Sequence, residues 1–122
     1  MIALVEGGPD LLAALHFAYA EGMENMVAPV CITGAGNKIP DKALAYFINH
    51  CVRIFHDWDD SGKEAGKRWY AQLKTVPHCN VDLWSLEGLV MDTAQPVKDL
   101  NDLTHIHADQ FEADRDLWEV MP

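Results

Sequence analysis

Basic residues are what this chain most lacks. Its 122 residues carry 9 Lys and Arg against 19 Asp and Glu, a formal net charge of −10. Nonspecific grip on nucleic acid comes from neutralising phosphates with cationic side chains, so the composition excludes a domain that coats nucleic acid unaided. Any phosphate handled here must meet a bound cation, a local basic patch or a partner domain. Cysteine is scarce as well. Cys31, Cys51 and Cys79 are widely spaced with no C-x-x-C pair, which argues against a zinc ribbon and for reduced thiols in a cytoplasmic protein. No run of about 18 apolar residues occurs, so no membrane span is expected. No basic stretch leads into an apolar segment and cleavage site, so no signal peptide is expected either. Met1 runs straight into an apolar stretch, as it would in a domain excised from a larger protein.

What is present is a core and an alternation. Hydrophobic residues make up 49% of the chain, enough for one domain that buries roughly two-thirds of its unfolded surface. Apolar runs at Ile2 to Val5, Val27 to Thr33, Val52 to Phe55 and Val81 to Leu86 read as strands. Helical patterns separate them. Pro9 suits a first turn, Leu11, Leu12, Leu15, Ala18 and Tyr19 recur at helical spacing, and Gly22 is placed to end that helix. Asp41 opens a second helix with Leu44, Phe47, Ile48 and Cys51 on one face. A third runs from Ser61 to about Val76 with Ala65, Trp69 and Leu73 four apart. A terminal helix is expected over residues 108–120. Near-continuous apolar strands alternating with helices predict an α/β fold: a compact, Rossmann-like open sheet of about four mainly parallel strands, order 2-1-3-4, with helices on both faces.

The acids fall at strand ends. In such a sheet ligands bind beyond the carboxyl ends of the strands, where the strand order reverses. Glu6 ends the first strand and Asp57 the third, so with that order Glu6, Asp57 and Asp59 converge on one rim. In an extended segment Asp57 and Asp59 point the same way, and two carboxylates with water oxygens suit Mg²⁺. Capping competes for the same residues. Ser61 with Glu64 three residues on is a capping box, and Asp59 and Asp60 gain from the helix dipole. Asp10 in Glu6-Gly7-Gly8-Pro9-Asp10 reads equally as a helix N-terminal acid, its glycines allowing a sharp turn. Lys98-Asp99-Leu100-Asn101-Asp102 reads also as a solvated, capping turn.

Four motifs nevertheless occur in order: E-G-x-x-D after the first strand, T-G-A-G (with Gly34) after the second, D-x-D-x-x-G from Asp57 to Gly62 after the third, and K-D-x-N-D after the fourth. Over about residues 1–104 this resembles the Toprim domain, the catalytic domain shared by primases, topoisomerases and certain nucleases. Lys98 to Asp102 looks most like the primase branch, in particular the phage- and plasmid-type primases and primase-helicases. The resemblance implies Mg²⁺ or Mn²⁺ at Asp57 and Asp59, with Glu6 as general acid or base or as a further metal ligand. It gives Gly7, Asp10, Asp60, Gly62, Lys98, Asp99, Asn101 and Asp102 supporting places in the motifs. It implies nucleotidyl transfer in primer synthesis, with nucleotides and DNA or RNA as partners. The zinc-binding module, basic subdomain or helicase that usually accompanies such domains is not in this sequence and would have to supply the nucleic-acid grip.

Lys38, Lys63, Lys67, Arg68 and Lys98 are the candidate phosphate contacts, each also readable as a solvated surface charge. Trp58 could stack on a base but reads better as packing on the neighbouring loop. A Toprim-type nuclease and a non-catalytic module that keeps the fold are the alternatives.

Overall fold

The computed structural model describes residues 1–34, 36–106 and 117–118. Four strands form one parallel sheet: β1 (Ile2–Val5), β2 (Ala28–Cys31), β3 (Cys51–Phe55) and β4 (Asn80–Leu83), in the order β2-β1-β3-β4. The expected strand order and direction are both found. β1 and β3 are central, and every residue of β1 is buried. That is why these segments are apolar without alternation.

The pleat sends successive side chains to two cores. Ala3, Val5 and Phe55 face one side, where they meet α1 (Gly8–Ala20) and the buried residues Trp84, Leu86, Val97, Leu100, Leu103, Leu117 and Trp118. Ile2, Leu4, Val52 and Ile54 face the other, where α3 (Asp60–Leu73) covers them with Ala65, Trp69 and Leu73. Both faces are therefore covered by helix, as a parallel sheet requires.

Three expectations need correcting. The buried face of α1 is Ala13, Ala14, Phe17 and Ala18, with Asp10. Leu12, Leu15 and Tyr19, expected inward, are 68%, 49% and 74% exposed. Small residues let the helix lie close on the sheet and turn its larger apolar side chains outward. The second helix is only one turn, α2 (Asp41–Leu44), followed by a 3-10 turn at Ala45–Phe47. Ile48 is already extended and Cys51 begins β3, so the four-residue face expected there does not form. Gly7 and Gly8 are not needed for the turn after β1. Gly7 is extended (φ −133°), and a Cβ there meets nothing closer than 3.6 Å. The expected helix over 108–120 lies outside the described residues except for Leu117 and Trp118, a buried turn docked on Phe55.

Candidate metal centre

The central strands end side by side. Val5 is the register partner of Phe55, so the chain leaves β1 at Glu6 and β3 at His56-Asp57 on one rim. Here the order reverses, β1 leading outward to β2 and β3 to β4. The backbone N–H of Asp57 donates to the Glu6 carboxylate. Glu6 Oε2 and Asp57 Oδ1 are buried and accept no hydrogen bond. Burial pushes the Glu6 carboxyl up, and Asp59 and Asp10 add to the rise. Asp57 is pushed up to about 7, by burial first and then by the charges of Glu6, Asp10, Asp99 and Asp59. A carboxylic acid half-protonated at neutral pH marks negative charge without compensation.

Two further acids buttress this pair. Asp10 is buried and accepts from the backbone N–H of Asn101 (3.0 Å) and from that of Gly7. It thereby ties the turn after β1 to the segment 98–102. Asp99 accepts from Asp102 N–H (2.8 Å), and Asp102 accepts from Lys98 N–H (3.0 Å). The K-D-x-N-D segment is thus a self-capped turn, followed by a 3-10 helix at Asn101–His105. It is not merely solvated: Leu100 is buried, and the Asp99 charge acts on both Asp57 and Asp10. Burial pushes Asp10 and Asp99 up as well.

The expected Asp57–Asp59 pair divides. Asp59 is exposed and is the N-cap of α3: its Oδ1 accepts from Gly62 N–H (2.7 Å) and Ser61 O–H (2.8 Å). These bonds hold its carboxyl below the usual range. The cap is therefore Asp59 and not Ser61. Glu64 does not close a capping box but pairs with Lys67 at 2.8 Å. Asp60 is exposed in the first turn of α3.

The last residue of the D-x-D-x-x-G motif has a steric reason. A Cβ on Gly62 would collide with the Asp57 carbonyl oxygen and stand 2.6 Å from its Cβ. One turn on, a Cβ on Gly66 would stand 2.8 Å from the buried His56 ring. The N-terminal half of α3 lies directly on the backbone that presents Asp57, and Gly62 permits it. His56 Nδ1 lies 2.8 Å from the Asp57 carbonyl oxygen, and its ring stacks on Trp58.

The basic candidates separate. Arg68 bears on Glu6, partly offsetting its raised pKa. Lys63 lies over the Trp58 ring at 4.1 Å. Trp58 is also bonded through its backbone N–H to the Lys98 carbonyl and packs against the α1-side core, so its ring is engaged within the fold. Lys67 is held by Glu64 on the surface. Lys38 lines an open cleft beyond the end of β2, together with Cys31, Ile32, Thr33, Asn37 and Pro40. Sequence reasoning missed the pairing of Asp10 with Asn101, for which only the recurrence of acids in two distant motifs gave a signal.

Among the described residues, no three His, Cys, Asp or Glu side chains close around a common point as a metal cage. The donors that do fit a cation are few and hard. Two unbonded carboxylate oxygens of like charge, on half-buried residues at the rim, are the hard donors that Mg²⁺ takes together with water. No helix among the described residues is long and apolar enough to cross a membrane. No family model matches the chain, and neither a curated protein nor a solved structure matches it.

Proposed function

We propose that this chain is a Mg²⁺-dependent catalytic domain of a primase-like protein, acting in nucleotidyl transfer. The carrying observation is the pair of buried, unbonded oxygens, Glu6 Oε2 and Asp57 Oδ1, on residues that leave adjacent strands at the switch point of a parallel sheet. Nothing in the fold's stability calls for two such atoms of the same charge; a hard cation accounts for both. The four ordered motifs, which resemble those of the Toprim domain, support nucleotidyl transfer as the chemistry.

Mg²⁺ or Mn²⁺ bound there would neutralise phosphate oxygens and the leaving pyrophosphate. Asp57 and Glu6 would hold the ion, and Asp59, whose Oδ1 is engaged in capping, would contribute only its other oxygen. Glu6 is held by the Asp57 N–H with its second oxygen open, which suits it to take the proton of an attacking 3′-hydroxyl. Without the ion, burial and the acids around it push its carboxyl up, and a cation beside it would oppose that rise. Asp10 and Asp99 touch no substrate in this scheme; they fix the two loops that frame the rim. The acidic body leaves the grip on template to accompanying domains.

The test is a Mg²⁺ titration followed by Trp58 fluorescence or by amide shifts around Asp57. Wild type responds saturably and Asp57→Asn does not; equal responses sink the metal site. Primer extension and strand cleavage, assayed with the full-length protein, then separate nucleotidyl transfer from the nuclease alternative.

A further inference from the structure

The cleft beyond β2 is not used by the metal reading, yet it borders the rim. Cys31 is the register partner of Val5, and Ile32 N–H donates to the Val5 carbonyl at 2.9 Å. The cleft therefore begins one strand spacing, about 5 Å, from the segment that carries Glu6. Its volume is about 350 Å³, within the range of small-ligand sites. Its far wall is built and braced. Trp69 Nε1–H donates to the Asn37 carbonyl at 2.8 Å, and the Gln72 amide grips Ile39 twice, accepting from its N–H (3.0 Å) and donating to its carbonyl (2.9 Å). Asn37 in turn donates through its side chain to the Thr33 carbonyl. The wall presents one cation, Lys38, with the polar groups of Thr33 and Asn37, in a chain of net charge −10. Arg68, on the same helix as Trp69 and Gln72, brings a second positive charge to the Glu6 side.

We propose that this cleft is a phosphate subsite of the acidic rim, with Lys38 as its charged contact. It takes a phosphate group beyond the one that meets the metal. The source is either the tail of a nucleoside triphosphate or a free pyrophosphate. The use of the subsite rests on the metal-dependent reading above, but its test does not.

Two indole N–H signals in one ¹H–¹⁵N spectrum of the whole chain separate the questions. Trp58 reports the rim, and Trp69 reports the cleft wall through its bond to Asn37. Mg²⁺ alone is expected to move Trp58. Pyrophosphate and a nucleoside triphosphate, each with and without Mg²⁺, are expected to move Trp69, while the unphosphorylated nucleoside leaves it in place. Lys38→Ala is expected to weaken that phosphate response about tenfold, as loss of a charge-assisted hydrogen bond does, and Lys74→Ala to leave it unchanged. A response to the triphosphate but not to pyrophosphate assigns the subsite to nucleotide tails; equal responses assign it to the phosphate alone. A Trp69 signal unmoved by both, or moved equally in Lys38→Ala, overturns the subsite. A silent Trp58 beside a responsive Trp69 would instead remove the metal reading and keep the cleft.

Discussion

Arg53 and Asp57 stand four residues apart along the same stretch of chain, and the fold treats their charges in opposite ways. Arg53, in the middle of β3, is buried and fully engaged. Its Nε bonds both oxygens of Asp82 (3.1 and 3.2 Å), Nη2 bonds Asp82 Oδ2 at 2.8 Å, and Nη1 donates to the Leu117 carbonyl at 3.0 Å. Asp57, just past the strand, keeps an unbonded buried oxygen and is surrounded by further acids. The same sheet can thus resolve a buried charge completely where only stability is at stake. At the rim it leaves one unresolved, and that contrast is the strongest physical reason for placing function there.

The largest break in the contrast comes from its resolved side. Asp82→Ala takes the carboxylate from the Arg53 guanidinium and leaves it the Leu117 carbonyl, and loss of one partner of this partly buried pair costs on the order of 2–3 kcal/mol. Urea denaturation measures it, and a cost below about 1 kcal/mol would put this pair with ordinary surface ion pairs. Next is Gly62→Ala, whose added carbon meets the Asp57 backbone. Overpacking there costs about 2 kcal/mol and also shifts the rim, so the Mg²⁺ response should weaken with it.

On the unresolved side the sign reverses. The Asp57 carboxyl moves from its ordinary 3.8 to about 7 in the folded protein. Between those values the unfolded chain has released a proton that the folded one still holds. Stability from this group is therefore complete below about pH 4, falls as pH rises to about 7, and is level above. Solvent screening at a half-buried site leaves on the order of 1–2 kcal/mol. Without Mg²⁺, Asp57→Asn should flatten that slope and leave the protein more stable than wild type at about pH 8. The same denaturation series in wild type and variant decides it, and an unchanged slope would return the effect to Glu6, Asp10 and Asp99. The smallest effect separates capping from metal binding at Asp59. Asp59→Ala loses the cap, about 1 kcal/mol, whereas Asp59→Asn retains it within a few tenths. If Asp59 also serves the ion, Asn lowers Mg²⁺ affinity while stability holds; if it only caps, both stay at wild type.

How far these features could be read from the sequence depends on how many structures each local pattern allows. Ile2 to Val5 and Val52 to Phe55 admit little but central parallel strands, but four strands with helices between them allow several orders, and 2-1-3-4 was the one under which Glu6 and Asp57 meet. The rim followed from the order, since Glu6 and Asp57 simply occupy the positions after those strands. The face of α1 was not legible because apolar residues surround the helix, so spacing alone could not say whether Leu12 or Phe17 is inside. Asp59 and Ser61 can both cap, and only the close seat of Gly62 on Asp57 selects Asp59. The bond from Asn101 to Asp10 spans most of the chain, and no local pattern encodes it.

The 1.5 Å rise per helical residue gives α3 a further consequence. Gly62 rests on the rim, and Gln72 grips the cleft wall ten residues, about 15 Å, further along. One inserted or deleted residue between them would swing Trp69 and Gln72 by about 100° and release Asn37 and Ile39. Length in this interval is thus under tighter constraint than composition. Homologous chains that share the rim and the cleft should keep that count fixed while their loops drift, so the spacing from Gly62 to Gln72 is a ruler by which kinship could be recognised where residue identity has faded.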